Sequence, residues 1–299
     1  MNGLVVTADD FGLATEVNDA VEAAHRRGIL SAASLMVGAP AAADAVARAR
    51  AMPRLGIGLH LVLVEGRPSL PPEAVPDLVG ENGQFRTDMA RTGLDIALKP
   101  RVRRQLAAEI EAQFAAFAAT GLRLDHVNAH KHFHLHPVIG GLVLAIGRRY
   151  GMTALRVPRE PTAIVDRIGP VDPSRAERMV AAPWAALLAA RARRAGMRVP
   201  DAVFGLAWSG AFTANRLAAL LGGLPDGLIE IYLHPATADR FAGSAPGYRY
   251  RDEFAALMDP AVLAAIGGAG HCLAGYAEHL AAAGNDPAAV ALVAEGPGG

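Results

Sequence analysis

Apolar and polar positions fall in alternating blocks along the chain. Short β-branched or apolar runs at 4–8, 30–37, 56–61, 124–129, 154–157, 203–207, 228–233 and 271–275 read as strands. Between them, apolar residues recur at helical spacing over 16–27, 41–51, 101–120, 138–150, 184–195, 213–221 and 261–266. Thr15 is the expected N-cap of the first helix and Gly28 its stop. Strand and helix alternate from end to end, which predicts an α/β fold of repeated βα units around a mostly parallel sheet of seven to eight strands.

Two stretches break this rhythm, 64–100 and 160–183, both rich in proline, and both read as long loops over one rim of a barrel. No composition shift marks a linker and no internal repeat is evident. The expected organisation is one catalytic domain over 1–285 and a flexible Gly- and Pro-rich tail over 286–299. A chain of 299 residues is long enough for a single α/β barrel.

Charge narrows the candidate functions. The 29 basic and 29 acidic residues cancel, which removes the broad attraction that nucleic-acid binders rely on, so nucleic acid is excluded as the expected partner. Cys272 is the single cysteine, so neither an intrachain disulfide nor a cysteine zinc cage can form. The N-terminus lacks a basic n-region and a signal-length apolar segment, and no apolar run reaches membrane-spanning length. The expected location is cytoplasmic, at most peripheral to the inner membrane. Nothing in the chain marks or excludes a homo-oligomer.

The chemistry lies in where the polar residues fall. Asp9 and Asp10 end the first predicted strand, His60 ends the third, and His126, His130, His132, His134 and His136 crowd the end of the fourth. The carboxyl ends of parallel barrel strands converge on one mouth, so these side chains should meet in space. In extended backbone, 130, 132 and 134 would point to one side. One carboxylate with two imidazoles is a catalytic metal stoichiometry that leaves positions open, and adjacent aspartates can divide metal binding from proton transfer. Arg156 and His234 also end predicted strands and could face the mouth. Trp208, Phe212 and Tyr232 lie near strand ends, as stacking faces for a sugar or as core residues. His25 and His279 read as structural.

These residues carry a resemblance. Thr7-Ala8-Asp9-Asp10-Phe11-Gly12, Gly58-Leu59-His60-Leu61, Asn128-Ala129-His130-Lys131-His132-Phe133-His134, Arg156-Val157-Pro158 and Leu233-His234-Pro235 together resemble the YdjC-like carbohydrate deacetylases over nearly the whole chain. The segments 35–40, 63–68, 158–161 and 204–210 are similar to the HpnK-type subgroup associated with hopanoid biosynthesis. The resemblance implies a distorted (β/α) barrel related to the polysaccharide deacetylase barrel. It implies one divalent ion, zinc or magnesium, on Asp10, His60 and His130, with Asp9 as base and His234 as acid. Asn128 stands where relatives often carry aspartate, a departure that should alter hydrogen bonding behind the ligands more than metal binding.

The implied reaction removes the acetyl group from an N-acetylated amino sugar, with an N-acetylglucosaminyl lipid as the narrower expectation. Arg156 would hold Asp9 ionised, and Trp208, Phe212, Tyr232, His132 and His134 are the candidate substrate contacts. A glycolipid would have to be met at a membrane surface. The stretch 184–198, with Arg191, Arg193, Arg194 and Arg198, reads either as a transient contact for anionic lipid or as an ordinary solvated helix. Two other classes use similar residues: a phosphoesterase, which commonly needs more carboxylates for two ions, and a catalytically silent metal- or sugar-binding module.

Overall fold

A computed structural model describes residues 2–169, 175–282 and 284. The proposed tail over 286–299 lies outside the described residues. The strands are β1 (Gly3–Phe11), β2 (Ala32–Leu35), β3 (Gly56–Leu61), β4 (Val127–Ala129), β5 (Ala202–Phe204), β6 (Leu228–Leu233) and β7 (Cys272–Leu273). They form one parallel sheet in the order β4-β3-β2-β1-β6-β5. β7 pairs with Gly3 and Leu4 of β1, and β2 with its later residues. The expected α/β architecture is therefore found, as a curled, incompletely closed barrel.

The helices are α1 (Thr15–Arg27), α2 (Ala42–Arg50), α3 (Met89–Leu98), α4 (Pro100–Ala119), α5 (Pro137–Arg149), α6 (Thr162–Ile168), α7 (Arg175–Arg194), α8 (Ala214–Leu221), α9 (Tyr250–Met258), α10 (Pro260–Gly268) and α11 (Tyr276–Ala282). β1 is buried along its whole length, so both of its faces are shielded from water and Leu4–Val6 read as a continuous apolar run rather than an alternation. α1 buries Val17, Ala20, Val21 and Ala24 at helical spacing. Each fully buried valine contributes about 1.5–3 kcal/mol.

Several local expectations need correction. Ala14, not Thr15, occupies the cap of α1, and the Thr15 hydroxyl turns to Glu16 instead. Gly28 does end that helix, but through close approach: a Cβ there would lie 2.3 Å from the Leu257 carbonyl oxygen. The stretch 64–100 is not all loop, since it contains α3 and a short 3₁₀ turn, Pro72–Ala74. Within 160–183, α6 and the start of α7 interrupt the expected loop.

The predicted strand at 154–157 forms only isolated bridges, Val127↔Leu155 and Ala154↔Arg198. Its neighbours do not run alongside it for long enough to make a ladder. It still spans the gap between β4 and β5, because Arg156 N donates to Val127 O and Val203 N to Arg159 O.

Candidate active site

Neighbouring strand residues normally point to opposite faces, so Asp9 and Asp10 could not both enter the mouth from a regular strand. A bulge resolves this. The β1–β2 register shifts between Ala8 and Phe11, and Asp10 adopts φ +62°. Such a conformation is costly for a non-glycine residue and marks a site where the backbone re-aims a side chain.

A second departure follows β4. The segment His130–Leu135 is not extended but forms a 3₁₀ turn, with Lys131 and His132 at φ +51° and +54°. The expected one-sided row of imidazoles is thereby broken up. His130 turns to Asp10, His132 turns to the Tyr232 hydroxyl (3.0 Å), and His134 reaches the Arg156 carbonyl oxygen (2.8 Å).

Asp10, His60 and His130 converge so that one ligand atom from each lies within 4.8 Å of the others. His60 Nε2 and His130 Nδ1 stand 3.4 and 3.5 Å from Asp10 Oδ1. Both Asp10 Oδ1 and His60 Nε2 are buried without a hydrogen-bond partner. Buried polar atoms are normally satisfied, so this orphaned pair fits a cation that both can ligate. The donor set of one carboxylate and two imidazoles suits a divalent ion with open positions, and does not by itself choose between zinc and magnesium.

Asn128 links this cluster to Asp9. Its Nδ2 donates to Asp9 Oδ1 (3.1 Å) and Ser34 Oγ (2.8 Å), which leaves Oδ1 to accept from His60 Nδ1 (2.7 Å). That bond puts the His60 proton on Nδ1 and turns the Nε2 lone pair toward Asp10. Behind it, Ser34 meets His126 Nε2 (2.9 Å), and His126 Nδ1 meets Asp125 Oδ2 (2.9 Å).

Asp9 is held from its other side. Arg156 Nη1 donates to Asp9 Oδ2 (2.5 Å) and Nη2 to Glu230 Oε1 (2.8 Å), while the guanidinium lies over the Tyr232 ring at 4.5 Å. Burial, the largest single influence, would raise the Asp9 carboxyl, but the charge and hydrogen bond of Arg156 together with the charges of His60 and His234 outweigh it and hold the group well below the usual carboxylate range. Across the cavity, burial opposes protonation of His234, yet the Glu253 carboxylate, 3.8 Å away, and the charges of Asp10 and Asp9 raise its pKa to about 9. His132 is pushed well below its ordinary value by burial and by Arg156, so it is a neutral imidazole.

A cavity of about 1140 Å³ opens over these groups and is lined by Asp9, Asp10, His60, His130, His132 and His234. Tyr232 also lines it, whereas His134, Trp208 and Phe212 do not. His134 is 1% exposed, and Trp208 and Phe212 pack edge to face in the core, their rings 5.2 Å apart. Their strand-end position put them near the mouth, and Leu206, Ala207 and Ser209 do line it, but the Trp208 and Phe212 side chains turn into the core. Two further aromatic residues, Tyr248 and Tyr250, just beyond the 243–247 loop, join Tyr232 at the cavity. Sequence reasoning missed both, and missed Glu253. The Gly- and Pro-rich run before Tyr248 was the available signal for the loop. Of the arginines in 184–198, Arg191 donates to the Pro137 carbonyl and Arg193 pairs with Asp201.

Fold and side chains together define an α/β barrel with a candidate single-metal centre at its carboxyl-end mouth. The YdjC-like protein family model matches residues 3–267, and the chain belongs to that family. It is 31% identical over 278 residues to a carbohydrate deacetylase of Geobacillus stearothermophilus, covering 92% of this chain and 96% of the relative. A carbohydrate deacetylase of Thermoanaerobacter pseudethanolicus is 28% identical over 239 residues, covering 80% and 83%. A crystal structure from Enterococcus faecalis V583, described as a proposed cellobiose-phosphate cleavage protein, aligns with TM-score 0.73 at 27% identity. That alignment covers 93% of this chain and 99% of the other.

Proposed function

We propose that this hydrolase, a carbohydrate deacetylase of the YdjC-like family, removes the acetyl group from an N-acetylated amino sugar using Asp9 as base and His234 as acid. The observation that carries the reading is the split in charge state across one cavity. An aspartate held ionised and a histidine held protonated flank the Asp10, His60 and His130 cluster. Environments that push two titratable groups apart are how one site supplies both a base and an acid.

Asp10, His60 and His130 would hold a divalent ion, which supplies Lewis acidity toward the acetyl carbonyl and makes water more acidic. Asp9 accepts the proton of the attacking water, and Arg156 and Asn128 fix the direction in which its oxygens point. His234 gives its proton to the sugar nitrogen as the C–N bond breaks, so water and amide become acetate and amine. His132, with its buried Nδ1 unpartnered, offers a hydrogen bond to a sugar hydroxyl, and Tyr232, Tyr248 and Tyr250 offer ring faces.

The narrower substrate is an N-acetylglucosaminyl lipid, as in the HpnK-type subgroup of hopanoid biosynthesis. Its support is an apolar part of the cavity lining, with Met36, Met89, Phe133 and Leu135, beside the polar centre. Among the described residues no helix is long and apolar enough to cross a membrane. A glycolipid would instead be met at a surface, where exposed Trp184 and Leu187 on α7 offer apolar contact.

The test is acetate release from N-acetylglucosamine, its oligomers and a glucosaminyl lipid, with chelation and metal add-back. Metal-dependent release lost in Asp9→Asn and His130→Ala supports the mechanism, and the preferred acceptor identifies the substrate. Release of phosphate from model esters, with no acetate from any acetamide, would discard it.

A further inference from the structure

The loop 62–70 follows His60 and Leu61 directly and supplies Val62, Glu65, Gly66, Arg67 and Ser69 to the cavity wall. It has no helix or strand of its own, and it reverses through Glu65 (φ +47°) and Gly66 (φ +132°). Such a segment needs outside partners to keep one shape.

Phe85 N donates to Gly66 O at the reversal (2.8 Å), and the partners at the loop's two ends come from one turn of α4. Gln113 Oε1 accepts from Val62 N (2.9 Å) and Gln113 Nε2 donates to Val62 O (2.6 Å), closing the loop's first residue onto the helix. Glu109 Oε1 accepts from Ser69 N (2.8 Å) and Oε2 from Leu70 N (3.0 Å), closing its other end. Gln113 Nε2 also donates to Glu109 Oε1 (2.8 Å), so the two side chains act as one clamp.

Glu109 is 0% exposed and Gln113 2%. Burial pushes the Glu109 carboxyl up, against the backbone donors that favour its charged form. An acidic group on the buried face of a helix is an expensive way to pack a core. Its geometry explains its presence: two separate oxygens, each an acceptor, meet consecutive backbone N–H groups. The loop then reaches the metal side of the mouth through the Glu65–Lys131 ion pair, onto the left-handed turn between His130 and His132.

We propose that Glu109 is a positioning residue for the substrate: with Gln113 it fixes the 62–70 wall, and so sets how well the cavity grips a ligand larger than one sugar ring. This rests on the sugar-deacetylase reading for its ligand but not for its structural readout. Glu109 does not line the cavity, so it acts through the loop.

Glu109→Gln keeps the shape but presents an NH₂ group where two oxygens must accept, so it should release one end of the loop. Expected in the metal-loaded full chain are Ser69 and Leu70 amides exchanging at least about tenfold faster, with β1 amides unchanged. For the β(1→4)-linked disaccharide of N-acetylglucosamine, KM should rise about tenfold with kcat within about twofold. For the monosaccharide both should hold, and zinc affinity should not move. Unchanged loop exchange, or faster exchange with an unchanged disaccharide KM, or a fall in kcat alone, overturns the proposal. If Glu109→Gln does not fold, Glu109→Asp, which keeps the charge but falls one methylene short of the Ser69 and Leu70 amides, carries the same test. If the wild type releases no acetate, calorimetric affinity for the two sugars replaces KM, so failure of the deacetylase reading and failure of the clamp are told apart.

Discussion

Arg156→Met tests how the centre is held together. The guanidinium is fully buried and bonds two carboxylates, Asp9 at 2.5 Å and Glu230 at 2.8 Å. Glu230 also accepts from Thr7 (2.7 Å) and Tyr276 (2.5 Å), but these are neutral donors. Methionine keeps most of the apolar stem and removes the cation, leaving two buried carboxylates uncompensated. Breaking a buried ion cluster from one side costs about 3–5 kcal/mol.

The pH dependence has a defined sign. In the wild type the Asp9 carboxyl lies below its ordinary 3.8, so its contribution to stability is present above that value and is lost as pH falls through the folded value. In the variant the charge and hydrogen bond of Arg156 are gone and burial, the largest influence, is opposed only by His60, His234 and the Asn128 donor, so the folded value should rise above 3.8. Asp9 then favours the folded state only in its neutral form, and that contribution is lost as pH climbs. The gap between the proteins should therefore be widest near pH 8 and narrow toward pH 5. Urea unfolding at both pH values, followed by tryptophan fluorescence, measures it. Adding Asp9→Asn and Glu230→Gln to Arg156→Met should recover most of the loss. A deficit under about 1 kcal/mol, or one equal at both pH values, would refute the reasoning.

Three further outcomes follow from the same geometry. Asp10→Asn removes the shared carboxylate of the candidate metal centre and should weaken zinc binding by more than the roughly 10–100-fold typical of an outer partner; chelator competition showing no change would reject the centre. His234 should titrate near pH 9 in the metal-free protein by imidazole NMR, and Glu253→Gln should lower that midpoint. Because the folded value is raised, its stabilising contribution is complete below about 6.5 and is lost as pH rises through about 9. A bound divalent ion on Asp10 opposes the shift, so the alkaline limb of the rate should lie at lower pH than the metal-free midpoint; equal values would contradict the coupling. Asn128→Leu releases both His60 and Asp9, and should lower zinc affinity by about 10–100-fold together with kcat; a change in kcat without a change in affinity would separate Asn128 from His60.

Much of the scaffold was legible because parallel sheets write themselves as buried apolar runs: 56–61 and 228–233 match β3 and β6, and 4–8 falls within β1, which runs on through Phe11. That Asp9, Asp10, His60 and the histidines after β4 would gather at one mouth was legible from strand-end position and residue type, whereas the particular set Asp10, His60 and His130 was what the family resemblance implied. What the sequence concealed is conformational. Nothing in Asp9-Asp10 announces a bulge at φ +62°, and nothing in His130-Lys131-His132 announces two left-handed residues, because neither turn contains the glycine that usually marks them. Trp208 and Phe212 show the limit of strand-end reasoning, which fixes where a residue is but not which way its side chain points. Glu230 was visible as a charge inside the run Leu228–Leu233, and a charge in a fully buried strand calls for a buried partner.

The cavity walls share one construction that the residue pattern could not display. Glu109 accepts from Ser69 and Leu70 backbone N–H groups, Glu160 from Gly205, Leu206 and Ala207, and Glu253 from Phe212 and His234. Each carboxylate stands on a different segment and fastens chain that has no ladder to satisfy it. Backbone donors left unpaired near a cavity would otherwise be met by water. A carboxylate offers several acceptor sites on two oxygens, so one side chain can hold consecutive N–H groups at once, which a hydroxyl or an amide does less well. Glu253 then does two things from one position: it fixes the backbone of His234 and lies 3.8 Å from its ring nitrogen, so the proposed acid is placed and charged by the same group. Position and protonation state at this histidine cannot be altered separately by changing Glu253. A second variant that leaves Glu253 in place and neutralises Asp10 is needed to resolve the electrostatic share, since Asp10 raises the same pKa from across the cavity.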